Sequence, residues 1–299
     1  MKKYAAIFVA LGAISYGIPG SLFKMARAQG VHDGMLLCLT FLIAWLFFVV
    51  ASAFLKPAKR NVPDKREKWL VILSGSSMGF TNTFYLLSLS YVPVAVAAVM
   101  MMQSVWLAII FSSVFHRRWP SLLQVFSIGI VLIGTVLATG LVPIHQTVSL
   151  VGLSLSFLAA LAYALTIQFT GGIGQDLHPL TKARLMSFGA LLLIIIIWGH
   201  TLFEPQSLII SLKWGGITSF FAMIFPLTSF SYFMPHLAIG IGPIISSLEL
   251  PSSVIFAFFL LAEAVSGSQV IGVGLIIIAV IITNLIPVLM YRRKYQTHN

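Results

Sequence analysis

Residues 180–202 read LTKARLMSFGALLLIIIIWGHTL, and the fold of the whole chain follows from this stretch. Its second half runs through Ala190, three leucines and four isoleucines with no polar side chain. At about 1.5 Å of helical rise per residue, roughly 20 residues cross a hydrocarbon layer about 30 Å thick. Lys182 and Arg184 stand at one end and Trp198 at the other. Basic side chains suit the cytoplasmic face of a membrane, and an amphipathic indole ring suits the headgroup level.

Nine further stretches of this kind fill almost all of the 299 residues. With this one they cover 4–23, 35–55, 69–90, 93–115, 121–141, 150–170, 180–202, 213–235, 239–262 and 267–290. Hydrophobic residues make up 59% of the chain and charged ones 8%, against about 25% charged in a soluble domain. A single dry core wrapped in polar surface is therefore excluded. Mean hydropathy is +1.02, and the longest polar joint, 56–68, is too short to fold alone. The sequence predicts an all-α integral membrane protein with ten transmembrane helices. The start, Met1-Lys2-Lys3 before an apolar run, has no small-residue cleavage site, and Tyr16, Pro19 and Gly20 interrupt the run. It reads as a retained first helix, not as a signal peptide.

Charge distribution fixes an orientation. With the N-terminus inside, the cytoplasmic joints hold Lys2, Lys3, Lys56, Lys59, Arg60, Lys65, Arg66, Lys68, Arg117, Arg118, Lys182, Arg184, Arg292, Arg293 and Lys294. That leaves Lys24, Arg27 and Lys213 of the 18 Lys and Arg outside. This asymmetry is the positive-inside pattern, and adding or dropping one helix would scramble it. It places both termini in the cytoplasm and points to a bacterial-type plasma membrane. The net charge of +11 then reads as attraction to anionic lipid, with no nucleic acid implied. Trp69, Trp119, Trp198 and Trp214 fall at span ends, whereas Trp45 and Trp106 fall mid-span.

The second half echoes the first at an offset of about 146 residues. Ala13-Ile14-Ser15-Tyr16-Gly17 aligns with Ala160-Leu161-Ala162-Tyr163-Ala164, and Gln124-Val125-Phe126-Ser127-Ile128-Gly129 with Gln269-Val270-Ile271-Gly272-Val273-Gly274. Gln103 falls opposite Glu249. Five helices per half is an odd number, so residues 1–145 and 146–299 would form two inverted five-helix repeats of one transport domain. Secondary transporters are often built this way, with the substrate site near the midplane between repeats.

Leu248-Glu249-Leu250-Pro251, then Leu261-Ala262-Glu263, then Gly272-Val273-Gly274 resembles the penultimate-helix pattern of the drug/metabolite transporter superfamily, EamA type. The resemblance covers nearly the whole chain. Ala262 stands where the family has glycine, Leu250 separates Glu249 from Pro251, and His116-Arg117-Arg118 stands where many members carry an Arg-Glu pair. The resemblance implies proton- or gradient-driven movement of a small metabolite, commonly efflux.

Most acidic residues lie at span ends or in joints: Asp33, which can cap the second helix, Asp64, Glu67, Asp176, Glu204 and Glu263. Glu249 lies about ten residues into its span, about 15 Å from the start. An acidic group at that depth costs about 2.5–3.5 kcal/mol by insertion scales, so it needs a partner or a wet cavity. It could shuttle a proton between the two sides or pair with a cationic substrate. The alternative is a neutral glutamic acid bonded for packing alone to the carbonyl of Ser247, which Pro251 deprives of its amide donor. Polar residues at helical spacing extend the candidate substrate site: Asn82 with Tyr85, Gln103 with Trp106, Thr228 with Tyr232, the repeat-related pair Tyr16 and Tyr163, and Ser247 beside Glu249. Trp106 reads equally as cavity wall and as packing. Aromatic rings, hydroxyls and one carboxyl suit amines, amino-acid-like solutes or aromatic metabolites. Phosphorylated substrates fit poorly.

Other chemistries lack residues. Cys38 is alone, which excludes a disulfide framework. His32, His116, His145, His178, His200, His236 and His298 are scattered without metal-ligand spacing. No nucleophile sits beside a base, so an enzyme is not expected. No cofactor is expected and no phosphate loop appears. Gly129, Gly134, Gly272 and Gly274 read as packing positions. The expected function is secondary-active transport of a small organic solute, export being favoured by the resemblance, with proton coupling through Glu249. Import uses the same architecture. A membrane scaffold, which predicts no internal cavity, is the other class.

Overall fold

The computed structural model describes residues 4–54, 64–92, 94–117, 119–138, 149–204, 207–237, 241–262 and 265–296, and every regular element among them is a helix. The boundary at 145/146 lies outside the described residues, as do Lys2, Lys3, Lys56, Lys59, Arg60, Arg118, His145, Glu263 and His298. So do the side chains of Arg292, Arg293 and Lys294.

The first span, Ala5–Ala28, is two helices in line, α1 (Ala5–Tyr16) and α2 (Pro19–Ala28). Next come α3 (Asp33–Ala53) and α4 (Lys65–Ser88). The fourth stretch is split into α5 (Val94–Met101) and α6 (Ser104–His116), and α7 (Leu122–Ala138) ends the first half. The second half begins with α8 (Leu150–Gly172) and α9 (Pro179–Trp198), which a 3₁₀ turn extends to Phe203. A π turn over Phe220–Ile224 joins α10 (Leu208–Ser219) to α11 (Phe225–Phe233). The π turn lies just before Pro226, where the regular ladder loses a donor. The ninth stretch is split like the fourth, into α12 (Ile241–Ser246) and α13 (Glu249–Leu261), and α14 (Gly267–Gln296) closes the chain.

All ten apolar stretches are thus helical. Eight runs are long and apolar enough to cross a membrane, while α7 and the part of α14 over Gly267–Ile282 are shorter apolar helices. Broad exposure of apolar side chains such as Phe54, Trp69, Ile196 and Phe259 fits a lipid-facing perimeter.

The repeat is visible in local chemistry. α6 and α13 each have 13 residues and start 145 positions apart, at Ser104 and Glu249. Each ends on a left-handed residue, Arg117 at φ 50° and Ala262 at φ 54°. The helices that follow open with the same reciprocal cap. Gln124 N–H donates to Ser121 Oγ (3.2 Å) while Ser121 N–H donates to Gln124 Oε1 (2.9 Å). Gln269 and Ser266 repeat the arrangement at 3.3 and 2.8 Å. This is a capping box, which satisfies two of the orphan amides at a helix start. α3 and α9 share another device: His32 and His178, each at the N-cap, accept from the amide two residues on at 3.2 and 3.3 Å.

Packing between the halves is reciprocal. α4 packs on α8 and α9, and the α10–α11 run packs on α1 and α3. α3 also packs on α9, and α7 on α14, each against its own counterpart. The α4–α9 contact is backbone-close, because a Cβ at Gly75 would sit 1.9 Å from the Met186 carbonyl oxygen and one at Gly189 1.8 Å from that of Ile72. Of the four glycines read as packing positions, Gly134 and Gly272 face each other across α7 and α14, whereas Gly129 and Gly274 meet open space. The interface between halves is where the site lies.

Candidate functional site

Two helix breaks meet at Glu249. In the ninth span, tight turns replace the helical ladder: Ser247 N–H donates to Ile244 O, Leu248 N–H to Ile245 O, and Leu250 N–H to Ser247 O at 3.2 Å. The carbonyl freed by Pro251 therefore takes its bond from Leu250, and the Glu249 carboxyl turns elsewhere. It accepts from the Tyr163 hydroxyl on α8, Oη to Oε2 2.8 Å. Glu249 opens α13, where a helix N-terminus favours negative charge. The break in the first span lies against it at Gly17. A Cβ there would stand 2.1 Å from Ser252 Oγ, 2.6 Å from Ser253 N and 2.8 Å from the Glu249 carbonyl oxygen. Only glycine lets the two broken helices come this close.

Above this junction is a cavity of about 260 Å³. Tyr16, Tyr85, Tyr163 and Glu249 line it together with Asn82, Thr81, Thr40 and Thr166. The Tyr16 ring meets Tyr163 edge-on at 6.2 Å and Phe230 at 5.8 Å. Met78, Met101, Met102 and Met223 supply pliable apolar wall. Lys24, Arg27 and Asp33 line the end away from Glu249, where a second hollow of about 800 Å³ shares Arg27, Asp33, Leu86 and Leu89. Aromatic contacts join the opposite ends of these helices. Phe8 stacks on Phe233 at 4.4 Å, and the Tyr232 hydroxyl lies 3.5 Å from His178 Nε2.

Five of the ten sequence-predicted site residues, Tyr16, Asn82, Tyr85, Tyr163 and Glu249, are brought together on this cavity. The other five are not among its lining residues. Gln103 and Trp106 do share a face of α6, but they bond each other, Trp106 Nε1 to Gln103 Oε1 at 2.8 Å, while Gln103 Nε2 donates to the Val99 carbonyl. Ser247 is buried and donates to the Ile244 carbonyl at 2.6 Å. Thr228 donates to Ile224 O at 2.6 Å, and Tyr232 lies at the opposite end beside His178. The scaffold reading predicts no internal cavity, and one is present.

Other residues at the site come from the structure alone. Thr40 is buried on the cavity wall with no partner for its Oγ1. Arg27 pairs with Asp33 at the mouth; both lie near a joint and read from sequence as loop and cap residues. Asp33 is in the first turn of α3, with His32 as the N-cap. Lys182, which is not among the cavity-lining residues, is 2% exposed and donates from Nζ to the Thr170 carbonyl at 2.6 Å, against the last turns of α8. Helix C-terminal carbonyls are natural acceptors for such a cation. Among the described residues, no three His, Cys, Asp or Glu side chains gather as a metal site.

Comparison with known proteins agrees with this architecture. The chain is similar to a solved crystal structure at 18% identity and a TM-score of 0.75, covering 95% of this chain and 98% of the other. That likeness is one of fold. No curated protein matches. The model of the EamA-like transporter family matches twice, over residues 3–140 and 150–285, once for each half. The chain belongs to the EamA-like transporter family, membrane transporters of small molecules.

Proposed function

We propose that the protein is a secondary-active transporter of a small organic solute, an amine, an amino-acid-like compound or an aromatic metabolite. In this reading ten helices cross a bacterial-type plasma membrane as two inverted repeats, 1–145 and 146–299, with both termini in the cytoplasm. The Lys and Arg asymmetry supports that orientation, and with it the cavity opens outward past Lys24, Arg27 and Asp33.

The single observation that carries the reading is Glu249, held by Tyr163 at the base of a tyrosine-lined cavity where two broken helices meet. A carboxyl there can hold a proton or a cationic solute, and exchange between the two is a coupling step. Ring faces and hydroxyls supply the rest of a cradle for an ammonium or an aromatic group. Alternating access follows when one half rocks against the other about the shared site. Thr228 and Tyr232, repeat counterparts of Asn82 and Leu86, then line the inward-facing state. Export is the favoured direction, although the gradients decide it.

Thermal unfolding of purified protein across a panel of amines, amino acids and aromatic metabolites tests the reading. A ligand of the folded state raises the melting temperature by mass action, and an active solute should then be moved in proteoliposomes faster with a pH gradient than without. Silence across a broad panel and no gradient-dependent flux would overturn both the solute class and the coupling proposed here.

A further inference from the structure

The ion pair at the cavity mouth is lopsided. Arg27 has a side chain 63% exposed, whereas Asp33 is 14% exposed. The carboxylate is thus held in the wall, and the guanidinium reaches it from the water side. Arg27 Nε also lies 3.3 Å from Asp33 Oδ1, so the fork engages both carboxylate oxygens. Asp33 begins α3, and Leu37, Thr40 and Phe41 continue its cavity-facing stripe inward at helical spacing. From Asp33 to Thr40 that stripe descends about 10 Å. Both members of the pair line the wider outer hollow as well as the inner cavity. A solute moving between the two spaces along these shared residues would meet this carboxylate.

We propose that Asp33 is an outer binding subsite for organic cations, ammonium or guanidinium, and that Arg27 is its tethered resident. A pair with one member mostly in water contributes little net stability, so an arriving cation can displace the guanidinium without unfolding the wall. The cation leaves Arg27 free to swing into water and lies one step above Glu249. Asp33 itself is held by its place in the first turn of α3, where His32 at the N-cap accepts from the Gly34 amide at 3.2 Å. The subsite rests on the cavity as a solute path, the reading given above, but its test needs no transport.

The sole cysteine, Cys38, is buried in α3. In a Cys38→Ala background, Thr40→Cys places a thiol on the cavity wall below Asp33. Purified protein in detergent is labelled with a cationic trimethylammonium-ethyl or an anionic sulfonato-ethyl methanethiosulfonate, and the rates are compared. Arg27→Gln should raise the cationic rate by about tenfold, in the range of electrostatic focusing, and leave the anionic rate unchanged or lower. Arg27→Lys should fall between. Tetramethylammonium should protect the thiol from the cationic reagent in Arg27→Gln, with saturation, and Asp33→Asn added to Arg27→Gln should remove that protection. Equal acceleration of both reagents, or protection that persists without the Asp33 carboxylate, overturns the subsite. If labelling behaves as expected while no solute is ever transported, the proposed function fails and the cation subsite stands.

Discussion

The fourth and ninth spans break at the same place in their repeats and use the break differently. At the first break Gln103 is satisfied within its own span, by Val99 on α5 and Trp106 on α6, and Ser104 Oγ is buried without a partner. At the second, the matching helix starts pair Glu249 with Ser104, one residue on from the Gln103 that the sequence offset sets opposite it, and the Glu249 carboxyl reaches across to Tyr163 and faces the cavity. Duplication therefore supplied one backbone twice, with the same 13-residue helix after each break and the same left-handed stop. A side-chain difference at one position leaves a partnerless hydroxyl at one break and puts a carboxyl on the cavity at the other.

That contrast can be broken by mutation. The largest effect is expected at Glu249→Gln, which keeps the size and the hydrogen-bonding oxygen but removes the exchangeable charge. Proton-driven flux should drop to background while the melting temperature stays near wild type. Gly17→Ala comes next, since its methyl group would invade Ser252 and Ser253. Overpacking of this kind costs about 1–3 kcal/mol, readable as a lower melting temperature together with reduced flux. Tyr163→Phe removes one hydrogen bond to a carboxyl, worth about 1.5–3 kcal/mol if the group is charged. It should weaken solute affinity measured by calorimetry more than it lowers stability. Ser104→Ala, at the silent break, should be neutral or slightly stabilising, because the lost hydroxyl had no partner. Ala262→Gly should raise stability by about 0.5–1 kcal/mol in thermal unfolding, since alanine at φ 54° is strained where glycine is not. The same mutation restores the residue that the family pattern carries, and the left-handed turn supplies the reason for the pattern.

Spans, repeat and the placing of Glu249 on a cavity were legible because each rests on a strong local signal: uninterrupted apolar length, basic residues at alternate joints, and one acid far from any joint. The Gln-Val matches at 124 and 269 proved to be helix caps, so that part of the repeat recorded backbone chemistry. Gln103 and Trp106 show where one-dimensional reading stops. Residues three apart share a helix face, and that spacing serves a pair bonded to each other as well as a pair facing a cavity. Arg27 and Asp33 were hidden for the opposite reason, since position near a joint says nothing about which space a side chain borders. Thr40 gave no signal at all, as one hydroxyl within an apolar helix is unremarkable in sequence. Lys182 sits two residues inside a span and read as a water-facing cation; only the approach of the α8 carbonyls explains its burial.

The most direct test of Glu249 as the exchange site is proton release on solute binding. A solute found by thermal stabilisation is added to purified protein in weakly buffered solution containing a pH indicator. If binding and protonation compete for one carboxyl, linkage requires about one proton released per solute bound at a pH where Glu249 is protonated. The account predicts release from the wild type and from Ser104→Ala, and none from Glu249→Gln. Release of equal size from Glu249→Gln, or solute binding by the wild type with no proton released at any pH, would contradict it.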